Sequence, residues 1–157
     1  MAAPPPRSAM LVWVPALAWL AVLACFSSDA FSADHTGIWL WKILHFIYPG
    51  LSHARFKEIH YFVRKSAHFL SYGTLSWFAF YGFRGVQSAR NVWRAKWSAL
   101  ALLLTLTAAS LDEFHQSFVS SRTSSSHDVW LDMAGAVTFQ LVMAAVFRWR
   151  SRRSKEY

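Results

Sequence analysis

Apolar residues gather into four runs along the chain, Ala9 to Phe26, His68 to Phe83, Trp97 to Leu111 and Val129 to Trp149, with polar or basic links between them. Each approaches the length of about 20 residues that carries a helix across a hydrocarbon core. The second and third runs are short, and length alone would also suit core helices of a soluble bundle. Their apolar residues lie all round the helix rather than in one stripe, which argues for lipid outside. A backbone in lipid must satisfy its own hydrogen bonds, so the runs are expected as helices. The pattern predicts an all-α, polytopic integral membrane protein with four transmembrane helices in a bundle.

The long link from Ser27 to Lys65 is read as an outer loop, but it has a pattern of its own. "IWLWKILHFIYPG", Ile38 to Gly50, is rich in aromatic residues and carries Lys42 and His45. It suits an interfacial helix in the headgroup region, the alternative being a re-entrant segment packed on the bundle. The Pro-rich "MAAPPPRS" at residues 1–8 has no means of burying anything and is expected as a disordered tail. The membrane domain is then residues 9–150, followed by a basic tail at 151–157.

Composition supports the membrane reading: 55% of the 157 residues are hydrophobic and only 15% charged. The net charge of +8 does not point to nucleic acid, because the cations sit in short clusters beside the apolar runs. "RGVQSARNVWRAK" carries Arg84, Arg90, Arg94 and Lys96 without an acid, and "RWRSRRSKEY" sets five cations against Glu156. Both therefore belong in the cytoplasm, which puts both termini inside and the link from Asp112 to Asp128 outside. Arg55, Lys57, Arg64 and Lys65 then lie outside, against the rule but in a longer link with interspersed acids. The single cysteine, Cys25, allows no internal disulfide and no zinc-type spacing. It reads as a lipid-buried residue; "VLAC" fits a lipoprotein cleavage site poorly because of Leu23 and the single charge at Arg7.

Polar residues cluster where three runs meet the outer side. Lys65, His68 and Tyr72 are three and four residues apart and share a helix face. Asp112, His115 and Gln116 share a face in "LDEFHQSF", with Glu113 rotated about 100° away. Asp128 and Asp132 are one turn apart, with Gly135 three residues on. Ionisable groups at membrane depth cost about 2–4 kcal/mol and normally face a bundle interior, paired. The same residues would serve a static packing network, and Asp128 would serve as a first-turn acid.

These blocks, "RKSAHFLSYGTL" and "LDEFHQSFVSSRTSSSHDVWLDMAG", with a fainter echo in "CFSSDAFSADHTG", resemble the VanZ-like family. The resemblance implies a small polytopic protein of the bacterial cytoplasmic membrane, of unestablished biochemistry, in a family named for a member associated with teicoplanin resistance. It singles out Arg64, Lys65, His68 and Tyr72, and Asp112, Glu113, His115, Gln116, Arg122, Asp128 and Gly135. Asp132 departs from the family pattern, which often has Asn there, and a further glycine after Gly135 is missing.

Three functions fit. The first is an envelope protein that binds a lipid headgroup, a lipid-linked precursor or a glycopeptide in an outward-facing polar pocket, with Arg64 and Arg122 as bidentate donors. The second is an enzyme on a lipid-linked substrate, with Asp112 or Glu113 as base and His68 or His115 as acid. The third is a static bundle or partner subunit. No nucleophile elbow, phosphate loop or HExxH helix selects the enzyme, and no catalytic residue is assigned. The spacing of Asp112, Glu113, Asp128, Asp132 and His68 is not a diagnostic ligand set, so neither a metal nor a cofactor is expected.

Overall fold

The computed structural model describes residues 9–28, 32–85, 93–118 and 126–153, and among these it holds five helices and no strand. In chain order they are α1 (Ala9–Ser27), α2 (Ala33–Ile47), α3 (His53–Gly85), α4 (Ala95–Gln116) and α5 (Ser126–Arg153). The expected tail at residues 1–8 lies outside the described residues; of the basic tail expected at 151–157, residues 151–153 are the last of α5 and 154–157 lie outside the described residues. Helix α3 is the hub: it packs most extensively on α5, then on α4 and α1. It is also the one described helix that α2 approaches closely.

The second apolar run proves to be only the back half of α3. Pro49 and Gly50 separate α2 from α3, and from Leu51 to Tyr72 the sequence offers neither residue to break a helix. At 1.5 Å per residue, α3 reaches about 50 Å, roughly 20 Å more than a hydrocarbon core. The link from Ser27 to Lys65 is thus largely helical, comprising α2 and the first turns of α3.

The two helices are joined by an aromatic stack. Trp41 lies between His45, at 4.9 Å, and His53, at 4.3 Å, with Phe56 edge-on at 5.0 Å. The other face of α2 exposes Ile38, Trp39, Ile43, Phe46 and Ile47.

Among the described residues two helices, α4 and α5, are long and apolar enough to cross a membrane. Helix α1 has a shorter apolar stretch, Leu11–Ser27. The back half of α3 is interrupted by His68, Ser71, Tyr72 and Ser76. All four nevertheless turn apolar side chains outward, including Leu17 on α1, Leu70 on α3, Leu103 on α4 and Leu141 on α5. That distribution suits a lipid surround better than water.

Inside, Phe80, Trp97, Ala101, Met143 and Phe147 form one buried cluster; Leu23, Tyr72, Leu75 and Ala109 form another. At the basic end Arg84 lies over the Phe147 ring at 4.9 Å, and Arg94 over Trp97 at 5.6 Å. The cations here lie over aromatic rings at the end of the bundle.

Small residues set the separation of α3 and α5. A Cβ at Gly135 would lie 2.0 Å from the Phe69 carbonyl oxygen, and one at Gly73 would lie 2.5 Å from the Phe139 ring. The first obstacle is backbone and cannot rotate away. Gly135→Ala should therefore lower the thermal midpoint of the purified protein, at a cost of about 1–3 kcal/mol for an overpacked contact. Gly50→Ala meets only the Tyr48 ring, at an ordinary 3.5 Å, and should leave the midpoint in place. Equal midpoints for the two variants would show that the close approach is not a determinant of stability.

Candidate functional site

Positions 65, 68, 72 and 76 of α3 follow one another by three and four residues, so their side chains lie along one face. Each meets a polar partner from α4 or α5. The Lys65 ammonium is ion-paired with Asp128, which also stands in the first turn of α5 where the helix dipole favours an acid. His68 Nδ1 lies 3.2 Å from Asp132 Oδ1, and the Asp132 side chain is 1% exposed. The Tyr72 hydroxyl donates to Asp112 Oδ2 at 2.7 Å, and Gln116 Nε2 donates to the same oxygen at 3.0 Å. Deeper still, Gln140 Nε2 donates to the Ser76 carbonyl at 2.9 Å and reaches its hydroxyl at 2.8 Å. The row spans about 16 Å along α3. Burial in a low dielectric strengthens these bonds and makes the loss of one partner costly, about 1–3 kcal/mol for a neutral group left unpaired.

Beside this row, α1, α2, α3 and α4 enclose a cavity of ≈ 350 Å³. That volume lies in the usual range of small-molecule sites, about 300–1,000 Å³. Tyr72, Asp112 and Gln116 form its deep end; His60, Arg64 and His68 line it toward the start of α3; Leu23, Phe26, Leu40 and Val63 supply apolar wall. A second cavity of ≈ 620 Å³ lies between α1 and α4, lined by Leu20, Leu104 and Leu111 among others. The two share Leu23, Ser27, Tyr72 and Asp112. Ser27, 5% exposed, also lies 3.2 Å through its hydroxyl from His115 Nδ1.

Helix α2 roofs the first cavity through local capping. The Ser32 hydroxyl accepts from the His35 N–H at the helix start, and Thr36 Oγ1 donates to the Ser32 carbonyl at 2.7 Å. Thr36 Oγ1 also stands 3.4 Å from His60 Nε2. A Cβ on Gly37 would meet the His60 ring at 3.3 Å, so the glycine lets α2 come down on that ring. Burial, with the Arg64 guanidinium close by, holds His60 below the ordinary histidine range.

The expected single pocket is divided in two. Arg64, His68, Tyr72, Asp112 and Gln116 line the first cavity, whereas Lys65, Asp128 and Asp132 lie in the α3–α5 seam and line neither cavity. Glu113, expected to be rotated away from the Asp112 face, is 7% exposed and buried in the bundle without lining either cavity. His115 lines the second cavity together with Asp112, and its side chain also reaches Ser27 on α1. Arg122 lies outside the described residues.

Ser27, His60, Ser76 and Gln140 were not anticipated. Ser76 and Gln140 carry a signal, since steps of four lead from Tyr72 to Ser76 and, over two turns, from Asp132 to Gln140. Ser27 carries none, because its partner is 88 residues away. Among the described residues no group of three or more His, Cys, Asp or Glu side chains is placed to hold a metal ion.

The VanZ/LLP1 family model matches residues 12–148. No curated protein and no solved structure matches the chain. The matched stretch runs from the second turn of α1 to near the end of α5 and takes in the whole polar row and both cavities. A match over that much of the 157 residues settles the family: the chain belongs to the VanZ/LLP1 family.

Proposed function

We propose that this protein is an integral membrane protein of the bacterial cell envelope, in which α1, the back half of α3, α4 and α5 span the bilayer. Both termini are cytoplasmic, and the cavity beneath α2 opens to the outer side. There it binds a lipid-linked envelope precursor or a glycopeptide of the teicoplanin type. Helix α2, with its exposed apolar face, lies in the outer interface.

The observation that carries this reading is the cavity itself. It mixes apolar wall with polar groups at one end of the bundle, the composition of a site for an amphiphile. Orientation rests on charge: Arg84, Arg94, Lys96, Arg148, Arg150, Arg152 and Arg153 all fall at the opposite helix ends.

Binding fits better than acid–base catalysis because the acids already have fixed partners. Asp112 takes two hydrogen bonds, Asp128 holds Lys65, and Asp132 holds His68. A general base needs a carboxylate or imidazole aimed at a substrate proton. Asp128 and Asp132 are aimed at the α3–α5 seam, and Asp112, which lines both cavities, is held by its two donors.

Topology is tested in a Cys25→Ser background, since Cys25 is exposed and would itself react. A cysteine at Ser117 should label with an impermeant maleimide on intact cells, and one at Ser151 should label only after lysis; both positions are exposed on the protein. The opposite result would invert the assignment.

Function is tested with Tyr72→Phe, which removes one donor to Asp112 while leaving Gln116 in place. Cells expressing the wild type should tolerate more teicoplanin than cells without it, and Tyr72→Phe should reduce that tolerance at unchanged folded yield. Reduced yield in step with reduced tolerance would favour a static bundle. No tolerance from the wild type would remove the glycopeptide.

A further inference from the structure

The walls of the first cavity differ in chemistry along its length, and the difference selects a class of occupant. His60 and Arg64 are four residues apart on α3, so one stands a turn above the other on the same face. Both line the cavity beside Val63 and Ala67. A guanidinium has five N–H donors in a fixed fork and a neutral imidazole keeps one N–H, a set that matches a phosphate. Asp112 is held at Tyr72, eight residues and about 12 Å further along α3, and its charge is partly offset there by two donated hydrogen bonds. The negative end of the cavity is therefore remote from its positive end.

Depth fits the same assignment. The apolar part of α3 starts at His68, which puts Arg64 one turn, about 6 Å, beyond it and level with lipid headgroups. Around Arg64 the wall is otherwise apolar, formed by Leu23, Phe26, Leu40, Val63 and Ala67. The exposed area of the cavity is overwhelmingly apolar, so a bare inorganic ion would leave most of it unfilled.

We infer that the cavity between α1, α2 and α3 holds a phosphate-headed membrane lipid, its phosphate on Arg64 and His60 and one hydrocarbon tail against Leu23, Phe26, Leu40 and Val63. The inference rests on the proposed outward-facing site and names the chemistry of its occupant. A lipid-linked precursor carries the same two features and would enter as a larger member of this class. Helix α2 closes the site by packing on α3 alone among the described helices, so the tail has a roof that can lift without disturbing the bundle.

The test is native mass spectrometry of the full chain in a non-ionic detergent, titrated with dioleoyl phosphatidic acid, with dioleoylglycerol and with inorganic phosphate. Phosphatidic acid should bind saturably as a single equivalent, dioleoylglycerol much more weakly, and phosphate alone should not bind. Arg64→Gln should weaken phosphatidic acid about tenfold, the loss of one charge-assisted contact, and leave the weak dioleoylglycerol binding unchanged. Ala67→Trp should block the tail and remove both lipids. Leu40→Trp, on α2 and thus clear of the main bundle, repeats that test if the first variant folds poorly. Equal binding of dioleoylglycerol and phosphatidic acid, equal binding of inorganic phosphate, or binding unaffected by Arg64→Gln overturns the inference. Saturable phosphatidic acid binding without any glycopeptide phenotype would leave this inference standing and remove the glycopeptide from the proposed function.

Discussion

The approach of α5 to the backbone of α3 at Gly135 fixes the distance on which the polar row depends. With no side chain at Gly135, the Phe69 carbonyl comes within 2.0 Å of where a Cβ would stand. Phe69 directly follows His68, and Gly135 lies three residues after Asp132. The glycine contact and the His68–Asp132 contact therefore belong to the same turn of the interface. A wider separation would still allow apolar side chains to meet, because they are large and adaptable. It would not allow hydrogen bonds, which weaken steeply beyond about 3.2 Å. Asp132 would then carry a buried carboxylate with no donor, among the costliest arrangements a helix interface can hold.

This dependence explains why small and polar residues alternate in the seam. Gly73 admits Phe139, Gly135 admits the α3 backbone, and Ser76 leaves space for Gln140 to reach both its hydroxyl and its carbonyl. In a lipid surround apolar contact gives little preference for protein over solvent, so close packing and interhelical hydrogen bonds set helix association. The α3–α5 seam has both. The α1–α4 contact is slight by comparison, and a cavity lies between those helices. Strong and weak seams thus sort the bundle into a fixed part and a part that leaves room.

Much of this was legible in the sequence and some was not, for identifiable reasons. The all-α class follows from the apolar runs, and which residues of the Lys65–Tyr72, Asp112–Gln116 and Asp128–Asp132 groups share a face follows from helical spacing, because 3.6 residues per turn fixes side-chain direction. Helix α3 starts at His53, well before the apolar run that begins at His68, because hydropathy marks where lipid would begin and not where a helix begins. The helix continues through "HARFKEIHYFVRK" for want of a breaker, whatever its polarity. The partner of His115 is a different matter. Helical phase gives direction relative to Asp112 but not the position of a third helix. The contact between His115 and Ser27 depends on α1, which no spacing within α4 can locate.

The position of α2 follows from the same limits. It cannot enter the α3–α5 seam, which is filled, and it is joined to α3 through a short turn pinned by Trp41 between His45 and His53. It must therefore fold back over the outer part of α3, where His60, Val63 and Arg64 face it. There Thr36 and Gly37 meet His60, and Leu40 faces the cavity, while Phe46, 88% exposed, points away. In this position α2 leaves one apolar face exposed and turns the other to the cavity. The constraint that closes the α3–α5 seam so tightly is what leaves the opposite side of α3 open. The cavity on that side is a consequence of the packing and needs no separate device to form it.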